Sequence, residues 1–105
     1  MSGYVLHPEA FNDLDEIEEF IAKDSFAAAG RVLDEIYTAI QLLTKNPGLG
    51  HSRPDLTSRP LRFWLVYSYL VAYIPEQPLV IIGVLHGRRS PKVLAAILSS
   101  RESMR

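Results

Sequence analysis

Residues 84–91 hold the side chains best suited to bind an anion. Arg88 and Arg89 lie between an apolar run and a Ser-Pro pair that is typical of a helix start. Guanidinium groups present fixed forks of donors that suit phosphate or carboxylate oxygens, and the N–H groups of a helix start also favour an anion. His86 and Gly87 come just before them, and Gly87 allows close approach by a partner. We expect an anionic partner here; the alternative is that Arg88 or Arg89 pairs with a carboxylate of the first helix.

Three further arginines, Arg53, Arg59 and Arg62, lie in or beside a long loop. If the first strand after this loop starts near the end of the last strand, Arg62 shares a rim with Arg88 and Arg89. Arginines placed together stabilise the charge that develops on a transferring phosphoryl group, and they also bind an acidic partner helix. The residues leave both chemistries open.

Other site chemistries find little support. The chain has no cysteine, and its three histidines are far apart without the spacing of metal ligands: His7, His51 and His86. There is no Gly-x-Ser-x-Gly nucleophile motif. The acids of residues 13–19 alternate with apolar positions, so we expect them to face solvent. We therefore predict neither a metal site nor a cofactor.

Composition indicates one globular domain with an uneven charge distribution. The chain has 105 residues, 48% hydrophobic residues and a formal net charge of −1, which excludes a disordered tail and a uniformly basic nucleic-acid coat. Residues 1–24 hold seven acids and one base, whereas residues 49–105 hold eight bases and three acids. This asymmetry favours an anionic partner for the second half, and a mixed solvated surface is the alternative.

No segment resembles an export signal or a membrane span. The first ten residues lack a basic start and an apolar run, and the longest apolar stretch, residues 79–85, is far shorter than the roughly 20 residues of a spanning helix. We expect a cytoplasmic protein.

The hydrophobic periodicity predicts an α+β fold with the element order β-α-α-β-β-β-α. A helical hairpin packs on a mainly antiparallel sheet, and the first short strand joins that sheet. We expect one domain over residues 1–105, with residues 99–105 as a frayed tail. The predicted elements are a strand at 4–6, a helix from 8 to 23, a second helix from Ser25 to Asn46, strands at 61–66, 69–74 and 79–85, and a helix that begins at Ser90.

Apolar residues recur at three- and four-residue steps in both helices of the hairpin, which predicts one buried face on each. In the first helix they are Phe11, Leu14, Ile17, Phe20 and Ile21. In the second they are Phe26, Ala29, Leu33, Ile36, Tyr37, Ile40 and Leu43.

A set of short motifs spread over some 85 residues resembles the ParE/RelE superfamily, the toxin halves of bacterial type II toxin–antitoxin modules, which are also known as plasmid stabilisation proteins. In chain order they are Tyr4-x-Leu6-x-Pro8-x-Ala10, Asp13-Leu14-x-x-Ile17, Pro47-Gly48-x-Gly50, Arg62, Tyr69-Leu70-Val71-Ala72-Tyr73 and Val84-Leu85-His86-Gly87-Arg88-Arg89. The fold of that family agrees with the element order above.

The resemblance implies one of two activities. RelE-like members cut mRNA on the ribosome with basic residues and a tyrosine or similar group near the C-terminus, whereas ParE-like members bind and inhibit DNA gyrase. From Gly87 onward this chain has no tyrosine or histidine, which favours the ParE branch and a protein that is not an enzyme. The target-binding candidates are Arg62, His86, Arg88 and Arg89. The alternatives are a RelE-like mRNA endonuclease and an inactive interaction module with the toxin fold.

The resemblance also implies a cognate antitoxin and a toxin–antitoxin hetero-oligomer. We expect a partly disordered antitoxin that folds on binding and lays a helix or strand over apolar toxin surface. The candidates for that surface are Phe20, Phe26 and Tyr37, and for each of them the alternative is a place in the toxin's own core.

Overall fold

A computed structural model describes residues 3–103, and the predicted element order β-α-α-β-β-β-α is confirmed. A two-residue turn connects the second and third strands, and a four-residue segment connects the third and fourth. The elements are β1 (Tyr4–Leu6), α1 (Pro8–Ala22), α2 (Phe26–Lys45), β2 (Arg62–Val66), β3 (Tyr69–Ile74), β4 (Leu79–His86) and α3 (Pro91–Glu102).

The four strands form one sheet in the order β1-β4-β3-β2. β3 is antiparallel to both β2 and β4, while β1 is parallel to β4, so the sheet is mostly antiparallel, as predicted. β1 pairs only with the start of β4, from Leu79 to Ile81. The second half of β4 therefore lies at an edge of the sheet. On that side, its backbone groups at Ile82 and Val84 bond to side chains of α3 and α1.

Each face of the sheet carries its own hydrophobic core. The α1–α2 hairpin covers one face, where Leu14, Ile36 and Val71 are among the buried residues. α3 covers the other face, where Leu94 and Leu98 pack against residues of β3 and β4. Both sheet faces are thus buried under helices, which is why β3 and β4 are apolar along most of their length.

Two helix starts have the expected capping chemistry. The Ser25 hydroxyl accepts a hydrogen bond of 3.0 Å from the Ala28 N–H at the start of α2. The Ser90 hydroxyl accepts one of 3.3 Å from the Val93 N–H, and Pro91 occupies the first turn of α3. The capped start fixes α3 directly after Arg88 and Arg89.

The prediction of a frayed tail from residue 99 is wrong for residues 99–102, because α3 continues to Glu102. Its last turn is held by two side chains: Arg101 pairs with Asp13, and the buried Glu102 lies 3.3 Å from the Arg59 guanidinium. The rest of the predicted tail is Ser103, which follows the helix end, and residues 104–105, which lie outside the described residues.

The predicted apolar faces of the hairpin are buried only in part. Leu14, Ile17 and Ile36 are in the core, but Phe11 and Phe20 remain exposed on α1. Phe26 is exposed at the start of α2 as well. Within residues 3–103, no helix has both the length and the apolar character that crossing a membrane requires.

Candidate functional site

One end of the sheet brings together the β2–β3 turn and the end of β4. Val66 pairs with Tyr69, and Tyr69 pairs with His86, so the turn lies beside the end of β4. The Gly87 N–H donates a hydrogen bond of 2.7 Å to the Ser68 carbonyl. A Cβ at position 87 would lie 3.2 Å from that same oxygen, so glycine suits this close approach. We call residues 67–69 and 86–89 the strand end.

Arg88 and Arg89 line two different clefts at the strand end. Arg89 lines a cleft of about 440 Å³ beside α1, together with His86, Tyr69 and Phe20. This is the α1 cleft, and its remaining lining residues are Asp13, Glu16, Ile17, Glu19, Lys23, Val84 and Leu85.

Arg88 lines a second cleft of about 390 Å³ at the tip of the β2–β3 hairpin. This is the hairpin cleft, and its other lining residues are Arg53, Leu65, Tyr67, Ser68, Leu70 and Gly87. The two adjacent arginines therefore line separate surfaces.

Both arginines are exposed, and within residues 3–103 neither Arg88 nor Arg89 forms an ion pair within 4.0 Å. The alternative that one of them pairs with an acid of the first helix is wrong for this part of the chain. The buried acid of that helix, Asp13, pairs instead with Arg101 at 2.6 Å. The expectation that the acids of residues 13–19 face solvent is therefore wrong for Asp13.

His86 and Tyr69 add two polar aromatic side chains to the α1 cleft. Their rings meet edge to face, with centroids 5.5 Å apart. The His86 Nδ1 accepts a hydrogen bond of 3.2 Å from the Arg88 N–H, which leaves Nε2 as the nitrogen for a partner. The sequence does not indicate Tyr69 as a site residue, because the resemblance places a functional tyrosine after the arginines. Strand pairing instead brings Tyr69 of β3 beside His86.

Arg62 does not share a rim with Arg88 and Arg89, and that prediction is wrong. Arg62 pairs with Tyr73, which pairs with Ile81, so it is level with the start of β4. At about 3.3 Å per residue, this position is on the order of 15 Å along the strands from the strand end. β2 runs parallel to β4, so the start of one cannot meet the end of the other.

Arg62 instead fastens the loop that follows α2. Its Nη1 donates a hydrogen bond of 2.6 Å to the Gly50 carbonyl. The Tyr73 hydroxyl accepts one of 2.9 Å from the Gly50 N–H and donates one of 2.8 Å to the Pro47 carbonyl. Burial raises the pKa of the Tyr73 phenol. Four of the motif residues noted in the sequence thus form one structural cluster.

The three apolar candidates lie in different surroundings. Phe20 is 68% exposed and lines the α1 cleft beside Arg89 and His86. Phe26 is 85% exposed at the start of α2. Tyr37 is half-buried against the core under the hairpin, and this burial, followed by repulsion from Tyr4 and nearby acids, raises the pKa of its phenol.

The site carries no arrangement suited to a metal ion: among residues 3–103, no three His, Cys, Asp or Glu side chains converge in that way. The strand end instead offers arginines, one histidine, one tyrosine and exposed apolar side chains. Such a set can bind an anionic or acidic partner by charge and contact.

Comparison with known proteins identifies the family. A profile described as "ParE toxin of type II toxin-antitoxin system, parDE" matches residues 4–91. A relative from Sinorhizobium fredii (strain NBRC 101917 / NGR234), named "Putative toxin Y4kP", is 33% identical over 86 residues, which cover 81% of this chain and 88% of that relative. The region that the profile matches runs from β1 to the first residue of α3 and includes the whole strand end. The chain belongs to the ParE toxin family of type II toxin–antitoxin systems.

Proposed function

We propose that this toxin binds and inhibits DNA gyrase, a type II topoisomerase, without catalysing a reaction, and that its cognate antitoxin blocks the binding. Membership of the ParE family supports the target, because inhibition of gyrase is what the resemblance to the ParE branch implies. The observation that carries the proposal is the exposure of Arg88 and Arg89, which have no ion-pair partner among residues 3–103. Unpaired arginines on a protein surface suit an acidic protein partner.

The charge of the α1 cleft argues against an RNA substrate. Glu16 and Glu19 line it beside Lys23 and Arg89, and Asp13 is already paired. An RNA backbone that enters this cleft meets two carboxylates for two cations, whereas RNA-binding surfaces cluster positive charge.

A ribosome-dependent mRNA endonuclease is the second candidate, because the cleft also holds a histidine and a tyrosine beside Arg89. A phosphodiester cleavage needs an acid, a base and a cation near the reacting phosphate. Incubation with translating ribosomes, followed by mapping of mRNA ends, tests this candidate. New 3′ ends that appear only with the toxin would favour the endonuclease.

The antitoxin proposal is supported by the surroundings of Phe20. Its exposed ring lines the same cleft as His86 and Arg89. An antitoxin segment that places an apolar side chain against Phe20 covers these two candidate target residues as well. Neutralisation then follows from mutually exclusive binding, and the complex is a toxin–antitoxin hetero-oligomer.

The test titrates purified toxin into a gyrase supercoiling assay, with and without the product of the adjacent gene. We expect stoichiometric toxin to abolish supercoiling and the neighbouring protein to restore it. Arg88→Ala and Arg89→Ala are assayed in the same way, with Arg31→Ala as the charge-matched control, because Arg31 is exposed on α2 and lines neither cleft. Supercoiling that is unaffected by excess toxin would refute gyrase as the target, and normal growth of a host that expresses the toxin alone would indicate an inactive interaction module.

A further inference from the structure

We propose that the hairpin tip, formed by Tyr67, Leu65 and Arg88, is the surface that holds an acidic segment of the target protein. This inference rests on the proposed function and adds the hairpin cleft, with Tyr67 as its aromatic anchor, to the target-binding candidates His86 and Arg89 of the α1 cleft. The antitoxin surface at Phe20 lies in the other cleft.

The first observation is the backbone of Tyr67. Its φ is 54°, and among the non-glycine residues of 3–103 it is the only one with a positive φ. Tyr67 is the first of two turn residues between β2 and β3, a position at which tight hairpins with positive φ favour glycine. A tyrosine here destabilises the turn relative to glycine. Strain of this kind is common where a side chain serves binding.

The second observation is the exposure of the Tyr67 side chain, whose limited burial compensates little for the turn strain. Tyr67 is 57% exposed, and its neighbour on β2, Leu65, is 60% exposed. Both line the hairpin cleft. Interface cores are enriched in aromatic residues and arginine, and tyrosine and arginine supply much of the binding energy. The exposed Leu65 adds apolar area beside them.

The charge of this cleft indicates the chemistry of its partner. Among residues 3–103, Arg88 and Arg53 are the only charged residues that line it, and both are cationic. Arg53 forms an ion pair with Asp55, with 2.8 Å between Nη2 and Oδ2, which leaves the guanidinium of Arg88 for a partner. One unpaired arginine beside two exposed apolar side chains matches a carboxylate next to an apolar residue. It is too little positive charge for a nucleic-acid backbone.

The decisive variant is Tyr67→Gly, because it separates folding from binding. Glycine accepts the positive φ, so we expect a midpoint of thermal unfolding equal to that of the wild type or a few degrees higher. We expect the concentration needed to inhibit gyrase to rise about tenfold or more, since the anchor is lost. Leu65→Ser and Arg88→Ala should each weaken inhibition as well. Phe11→Ala removes an exposed aromatic residue outside both clefts and should leave inhibition unchanged.

The same variants are scored for growth arrest in a host without antitoxin. If the wild type arrests growth without inhibiting gyrase, the gyrase proposal fails, and reduced toxicity of a folded Tyr67→Gly still supports the hairpin tip as the target contact. If the wild type inhibits gyrase and Tyr67→Gly inhibits it equally well, the hairpin-tip inference alone is overturned. A wild type that does neither overturns both.

Discussion

Asp13 and Arg101, 88 positions apart, form a bidentate ion pair with hydrogen bonds of 2.6 and 2.9 Å at the open edge of β4. Asp13 Oδ2 also accepts a hydrogen bond of 2.9 Å from the Val84 N–H, and Arg101 Nη1 donates one of 3.2 Å to the Ile82 carbonyl. The pair thus satisfies strand groups that β1 is too short to reach. It joins α1, α3 and β4; β4 and α3 flank Arg88 and Arg89 in the chain, and α1 lines the cleft of Arg89. It also covers part of an edge strand that would otherwise attract other chains.

Removal of one partner of this pair should be costly. Both side chains are largely buried, at 11% and 12% exposure, so Asp13→Ala leaves a buried guanidinium unpaired and should lower the free energy of unfolding by about 3 kcal/mol. Denaturant titration measures the loss. Asp55→Ala, which breaks the exposed pair with Arg53, serves as the control and should change stability much less. Equal losses for the two variants would show that the Asp13–Arg101 pair contributes nothing beyond a surface ion pair.

Gly50 should not tolerate a side chain. A Cβ there would lie 2.5 Å from the Tyr73 hydroxyl oxygen and 3.0 Å from the Phe63 carbonyl oxygen, whereas one at Gly48 would meet no atom within 4 Å. Neither glycine has a positive φ. We expect Gly50→Ala to cost about 2 kcal/mol or more in denaturant titration and Gly48→Ala to remain within about 0.5 kcal/mol of the wild type. A Gly50→Ala variant as stable as Gly48→Ala would contradict the close approach.

Stability should fall at alkaline pH because of Tyr73. Burial raises the pKa of its phenol above the ordinary value of 10.0, so the folded state retains this proton more tightly than the unfolded chain. The resulting stabilisation is fully present below pH 10 and is lost as the pH rises through the raised pKa. Thermal unfolding between pH 8 and 12 should therefore show a smaller alkaline decrease for Tyr73→Phe than for the wild type.

Tyr37 should contribute to the same alkaline loss of stability, because the pKa of its phenol is raised as well. Tyr37→Phe combined with Tyr73→Phe should flatten the profile further. At pH 7, Tyr73→Phe should itself cost about 1–2 kcal/mol, because the hydrogen bonds to Pro47 and Gly50 are lost. An alkaline slope identical in all variants would place the titrating group elsewhere.

Phe20 should matter for neutralisation more than for folding. Its ring is exposed and lines the α1 cleft, so Phe20→Ser should weaken antitoxin binding about tenfold or more while the unfolding midpoint stays unchanged. In cells, this variant should remain toxic when the antitoxin is expressed with it. Phe11→Ser is the matched exposed phenylalanine on the same helix, and normal neutralisation of that variant is expected. If Phe20→Ser is neutralised as well as the wild type, the antitoxin binds elsewhere.

The sequence was sufficient for the order and type of the elements, because their apolar periods are long and are separated by Pro, Gly and Ser. Local chemistry alone predicts the helical start at Ser90 and the two-residue turn before Tyr69. Each of these features depends on neighbours within a few positions of the chain.

What the sequence could not provide depended on pairing between distant residues. Asp13 lies among acids that do face solvent, and only the end of α3 reveals its partner. Residue type suggests a common surface for Arg62 and Arg88, whereas strand direction separates them. The sequence also does not indicate the positive φ of Tyr67, because glycine, asparagine and aspartate, not tyrosine, are the residues that predict a positive φ in a tight turn.

Gyrase binding through Arg88 and Arg89 is tested most directly by a supercoiling assay with the wild-type toxin and the double variant Arg88→Ala, Arg89→Ala. Both side chains are exposed at the strand end, so the variant should unfold at the wild-type temperature. We expect the wild type to block supercoiling at stoichiometric concentration and the variant to need about tenfold more protein or above. A folded variant that inhibits as well as the wild type, or a wild type that leaves supercoiling unchanged, would contradict this expectation.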